Sequence, residues 1–154
     1  EEQLSQLLTG WAANEASAPA AIFFATAGGH HAWHAQVVRG CLPTSPRLTE
    51  HEVVVAPTIG WTRTITTLAT LTDAEATLPR LKALVKVIDP WLDREIGALV
   101  DLARPISDAA MMRWLRFITI DHHDDGQAAA LLTASTASNT TYVDDHRLIA
   151  GLEL

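Results

Sequence analysis

The stretch MMRWLRFITIDHHDDGQAAALL, residues 111–132, decides the fold. Met111, Leu115, Ile118, His122, Asp125, Ala129 and Leu132 recur at steps of three and four, the period of an α-helix. With Ile118 as reference, His122 and Asp125 fall within about 40° and Asp121 within about 60° around the helix. Trp114 shares that arc. His123 lies almost opposite with Arg113, Arg116 and Gln127, and Asp124 is on a flank. The acidic and imidazole run 121–125 is therefore a belt around a mostly buried helix, with half of it turned inward.

A second stretch repeats the pattern. Phe23, Ala27, His30, His34, Val37 and Cys41 keep helical spacing, with Trp33 beside them, His31 on a flank and Arg39 outward. Gly28-Gly29 removes side chains one turn before His30. That permits close approach by a neighbouring helix or a ligand, at a helix-propensity cost of about 1 kcal/mol per glycine. Burying an imidazole or carboxylate is costly unless it is hydrogen-bonded, paired or ligated. Two helices carrying that cost at mid-length predict a polar site inside a bundle.

The rest of the chain is helical in pattern. Residues 2–15 place Leu4, Leu7, Leu8 and Trp11 on one side, and Ser17 with Pro19 restarts the chain for a helix from about Pro19 to Cys41. Pro43-Thr44-Ser45-Pro46 is a connector, and Thr49-Glu50-His51-Glu52 reads as a capping box. Residues 50–71 keep helical spacing through Val54, Thr58, Trp61, Ile65 and Leu68, although Pro57 and the Thr/Val content favour strand. Thr72-Asp73-Ala74-Glu75 reads as a second capping box, opening a helix with Leu78, Leu81, Val85 and Ile88. Asp89-Pro90 predicts a kink or restart before a helix near 91–104. Pro105 and Ser107 cap the long helix 108–135, residues 135–141 form a loop, and 143–150 form a short terminal helix. The expectation is all-α: one domain over 1–154, an up-and-down bundle of four main helices plus short extra ones.

Composition narrows the function. The formal net charge is −7, and no Lys/Arg cluster exists to meet nucleic acid or an anionic membrane. Between Glu15 and Arg39 there is no charged residue, but Pro19, Gly28-Gly29 and three His interrupt a segment too short to span a bilayer. The single cysteine, Cys41, excludes a disulfide framework and suits a reducing, cytoplasmic setting. Nine Arg against two Lys, with abundant Ala, reads as a GC-rich bacterial genome.

Three functions are open to such a site. In the first, needing no cofactor, Asp125 or Asp121 orients His122 as base while His30 or His34 acts as acid. Phe23, Trp33 and Trp114 would line the pocket of a small-molecule tailoring enzyme of bacterial specialised metabolism, catalysing elimination, isomerisation or cyclisation. In the second, His30, His34, His122 and Asp125 hold a divalent zinc, nickel or iron ion. In the third, a non-catalytic subunit docks a partner or forms a homodimer through an apolar patch, for which five Trp leave room.

This layout over roughly residues 15–135, with His30, His34 and His122 on two helices, resembles the DinB-like family of four-helix-bundle enzymes. The resemblance implies a metal held by a His triad between helices and thiol-dependent transferase or isomerase activity. The chain departs from the family in carrying its close His pair on the early helix, with His122 and Asp125 on the late one.

Overall fold

Residues 1–42, 46, 47, 49, 54 and 57–139 are described by the computed structural model. The helices are α1 (Glu2–Ala13), α2 (Ala18–Gly40), α3 (Ile59–Ala69), α4 (Thr77–Ala83), a π-helical turn (Leu84–Ile88), α5 (Asp89–Leu102) and α6 (Ala109–Asn139). There is no strand among the described residues, so the chain is an all-α helical bundle. No helix among them is long and apolar enough to cross a membrane.

Helix α2 is gripped from two sides. Against α1 it turns Ala20, Phe24, Ala27 and His31, all buried, and Trp11 meets Phe24 edge-on with ring centroids 5.4 Å apart. Gly28 admits the α1 backbone: a Cβ there would stand 3.4 Å from the Ser5 carbonyl oxygen. Toward α6 it turns His30, Trp33 and His34, which meet Asp125, Trp114 and Asp121 respectively. These pairings make α2 antiparallel to both neighbours. Asp89 beside Gly126, and Ile96 packed with Leu115 and Ile118, make α5 antiparallel to α6 in turn.

The segment balanced between helix and strand is helix over Ile59–Ala69, and residues 50–53, 55 and 56 lie outside the described ones. Its threonines are accommodated because the Thr58 hydroxyl caps the Trp61 amide, and the Thr62 and Thr66 hydroxyls donate to carbonyls four residues back. Trp61 then buries between α1 and α5, donating to Gln3 at 2.6 Å and stacking on Trp91 at 4.3 Å.

Several expected boundaries move. Thr72–Glu75 is not a capping box; the Asp73 carboxylate accepts from the Glu75 amide in a turn, and α4 begins only at Thr77. The reason lies at Arg80, a fully buried guanidinium that donates to the Leu71 and Asp73 carbonyls and holds the preceding chain as a loop. At Asp89-Pro90 the restart is a widened turn: the Asp89 amide donates to the Leu84 carbonyl five residues back. Proline's ring crowds the carbonyl four residues before it, and a π-turn gives it room. The long helix continues through Asn139, past the loop expected from 135. The Pro43–Ser45 connector residues, His51 with most of its capping box, and the terminal helix 143–150 lie outside the described residues.

Candidate metal centre

Glu1, His31, His34 and His122 each offer one ligand atom, and these atoms all lie within 4.8 Å of one another. Three helices build the group. Glu1 caps α1, His31 and His34 sit one turn apart on α2, and His122 comes from the middle of α6. Ring centroids are 5.0 Å apart for His34 and His122, 5.2 Å for His31 and His122, and 5.8 Å for His31 and His34. The imidazoles are buried, His34 completely, whereas the Glu1 side chain keeps 19% of its surface exposed.

The Glu1 carboxylate is the hub. Its oxygens lie 2.5 Å from His31 Nδ1, 3.5 Å from His34 Nδ1 and 3.4 Å from His122 Nε2. Only the first is a hydrogen bond. His34 Nδ1 and both nitrogens of His122 are buried without any hydrogen-bond partner. Of the four such side-chain atoms among the described residues, three are therefore in this cluster; the fourth is Trp11 Nε1. An unsatisfied buried polar atom costs about 1–3 kcal/mol, so the arrangement stores several kcal/mol unless a ligand occupies it. Two donors on a tetrahedral ion with bonds of about 2.1 Å stand about 3.4 Å apart. The spacings from Glu1 Oε2 to His34 and from Glu1 Oε1 to His122 are close to that edge length, and the 2.5 Å contact with His31 is shorter than it.

The electrostatics of the group divide between burial and the carboxylates. Burial alone would raise the Glu1 carboxyl, but the close approach of the His122, His31 and His34 imidazoles overrides it and holds the group ionised far below the ordinary carboxylate range. Burial pushes His31 below its usual value, favouring the neutral ring that ligates metals. For His34, burial is outweighed by the Glu1 and Asp121 carboxylates, which hold it above its usual value.

Asp121 supports the cluster from behind. Its Oδ2 lies 3.0 Å from His34 Nε2 and accepts a hydrogen bond from that N–H, leaving Nδ1 as the ring's lone-pair face. His30 stands apart from the donors. Its Nδ1 pairs with Asp125 Oδ2 at 2.9 Å, and its side chain is 38% exposed. Of the expected metal set, His34 and His122 lie in this group with Glu1 and His31, whereas His30 and Asp125 pair with each other. The expected acid–base residues divide into two His–Asp pairs, His34–Asp121 and His30–Asp125, with His122 between His31 and His34.

The cause is the two-sided burial of α2. A single stripe through Phe23, Ala27, His30 and His34 describes the α6 side, while the α1 side takes His31 inward. Of the three aromatic residues expected in the pocket, Phe23 is core packing beside Phe24. Trp33 and Trp114 form an edge-on pair at 5.8 Å, with the Trp33 ring 5.4 Å from His34. Glu1 was legible too: Glu1, Leu4, Leu8, Trp11 and Glu15 are one heptad stripe with an acid at each end.

Comparison with protein-family models, curated proteins and solved structures finds no match to this chain.

Proposed function

We propose that this protein is a divalent-metal enzyme acting on a small molecule, with the cation held by Glu1, His31, His34 and His122. The observation that carries this is the set of orphaned, buried ring nitrogens of His34 and His122 facing an ionised carboxylate. Three imidazoles with one carboxylate suit zinc, nickel or iron. A cation held there supplies Lewis-acid polarisation of an oxygen or nitrogen on the bound molecule. His34 ligates through Nδ1, oriented by Asp121, and His122 through Nε2. Glu1 is the donor most open to solvent, so its side of the centre is where an outside ligand approaches. This keeps the class implied by the DinB-like resemblance, an ion held by imidazoles between helices, with a redrawn donor set.

A cofactor-free acid–base reaction is the second reading, favoured by the half-exposed His30–Asp125 pair. An Asp on Nδ1 fixes the tautomer of such an imidazole and leaves its Nε2 open to a reactant. The fully buried ring of His34 is ill-suited to that work, because a reactant must touch the base.

Elemental analysis of protein made without an affinity tag tests the first reading. We expect roughly one equivalent of metal per chain, falling to background in His34→Ala and His122→Ala variants that keep their helical circular dichroism. Wild-type protein that retains neither zinc nor nickel after loading and dialysis would refute it.

A further inference from the structure

We propose that the cleft between α5 and α6, beside His122, binds a small ammonium compound that also carries an oxygen acceptor, such as an amino alcohol. The cleft has a volume of about 300 Å³, and its polar lining includes Asp89, Asp93, His122, His123 and Gln127. Asp89 and Asp93 stand one turn apart on α5, and no Lys or Arg lines the cleft to neutralise them. The space is that of about ten waters, enough for a ligand of a few heavy atoms.

The Asp89 carboxyl is built into this place. The π-turn ends at it, and α6 opposes it with Gly126, where a Cβ would stand 3.3 Å from Asp89 Oδ2. Burial, and then the negative charges of Asp93 and Asp125, push its pKa up to about 7. An ammonium group seated between Asp89 and Asp93 removes that strain by supplying the missing positive charge.

His122 is the independent observation. It is 7% exposed, lines the same cleft, and has no hydrogen-bond partner on either ring nitrogen. Its Nε2 faces Glu1, which leaves Nδ1. An imidazole ligated through one nitrogen carries its proton on the other, and that proton is normally given to an acceptor. His34 has Asp121 for this; the protein provides His122 with none. An oxygen of the cleft's ligand completes the pair. This half of the inference rests on the metal reading, whereas the Asp89–Asp93 half stands without it.

The test is an amide NMR titration of the full chain loaded with zinc, near pH 8, where an alkylamine is still protonated. Ethanolamine and 3-aminopropan-1-ol are the probes, with propylamine and propan-1-ol as controls. We expect saturable shifts at the Asp89, His123, Gly126 and Gln127 amides for the amino alcohols, weaker ones for propylamine and none for propanol. Asp89→Asn, checked for retained helicity, should weaken amino alcohol binding at least about tenfold, the worth of one charge-assisted hydrogen bond. Absence of saturable shifts at those amides, or unchanged affinity in Asp89→Asn, overturns the proposal. Equal binding of propylamine and the amino alcohols overturns its oxygen-acceptor half. Zinc content measured on the same samples separates the readings: a zinc-free chain whose propylamine binding still depends on Asp89 overturns the metal centre and supports the carboxylate cleft.

Discussion

Adjacent glycines on α2 should respond oppositely to substitution, because only one of them faces α1. A Cβ built on Gly29 meets nothing within 4 Å. Gly29→Ala therefore gains helix propensity alone, about 1 kcal/mol of stability, or roughly 2–4 °C in Tm for a chain of this size. A Cβ on Gly28 stands 3.0 Å from Thr9 Oγ1, 3.4 Å from Leu8 Cβ and 3.4 Å from the Ser5 carbonyl oxygen. Thr9 is exposed and its hydroxyl can rotate away, so Gly28→Ala should come out near neutral. Gly28→Val adds two γ-carbons against Leu8 and the Ser5 backbone, which cannot yield without moving α1. Overpacking of that kind costs about 1–3 kcal/mol.

The consequence reaches the cluster. Glu1 rides on α1 while His31 and His34 ride on α2, and a metal site tolerates only about 0.2 Å in its donor distances. Gly28→Val should therefore weaken zinc affinity by at least about tenfold, while Gly29→Ala leaves it unchanged. Urea unfolding followed by circular dichroism measures the first quantity, and competition with a chromophoric chelator measures the second. A Gly28→Val protein with wild-type stability and zinc affinity, or a Gly29→Ala protein that loses metal, would refute the reasoning.

Three further predictions follow from other contacts. Asp121→Asn should lower metal affinity by about 10–100-fold with the fold intact, measured by the same competition, because the Asn amide no longer fixes the His34 tautomer. Arg80→Met should destabilise by about 3–5 kcal/mol in urea unfolding, since it strands the Glu15 carboxylate; Glu15→Gln in that background should recover part of the loss. Asp89 sets a pH dependence. Its folded pKa of about 7 exceeds the ordinary 3.8, so the folded state holds the proton more tightly, and stability falls as pH rises through that window. Asp89→Asn should therefore stabilise by about 1–2 kcal/mol at pH 8 and leave stability nearly unchanged below pH 4, discounted from the full linkage because the group is partly exposed.

The helices were legible where apolar spacing is regular and uninterrupted. Residues 111–132 and the α1 stripe read directly as helix, because each buries a single continuous face. Legibility failed where a helix has two partners. A single stripe along α2 puts His31 on its flank, yet α1 and α6 each take a stripe of their own. It failed again at Thr72–Glu75, where the residue types of a capping box serve a loop anchored by Arg80, nine residues from its Leu71 partner and out of reach of any local rule. The inward turn of His34, Asp121 and His122 was readable from periodicity, but which imidazole meets which carboxylate is set by helix register, and register is a property of the packed bundle.

Helix α1 poses the same electrostatic problem at both ends and answers it differently. Glu15, at its far end, is fully buried with Arg80. Arg80 Nη1 meets it at 2.8 Å, the Thr77 hydroxyl donates to its other oxygen, and Arg80 Nε and Nη2 donate to the Leu71 and Asp73 carbonyls. Every partner there comes from the protein, so the end is closed and its role is to hold the fold. Glu1, at the near end, faces three imidazoles that supply one hydrogen bond among them and leave three ring nitrogens bare. A chain that satisfies a buried carboxylate so completely at one end of a helix leaves three of the ring nitrogens around the other without hydrogen-bond partners, in a group whose donors could hold a metal ion. The imbalance is local and is not a general looseness of packing, since Leu4 and Leu8 between the two ends are fully excluded from solvent. That contrast within one helix is what favours the metal proposal for the Glu1 end over a purely structural polar core, since the Glu15 end shows what a structural one looks like in this chain.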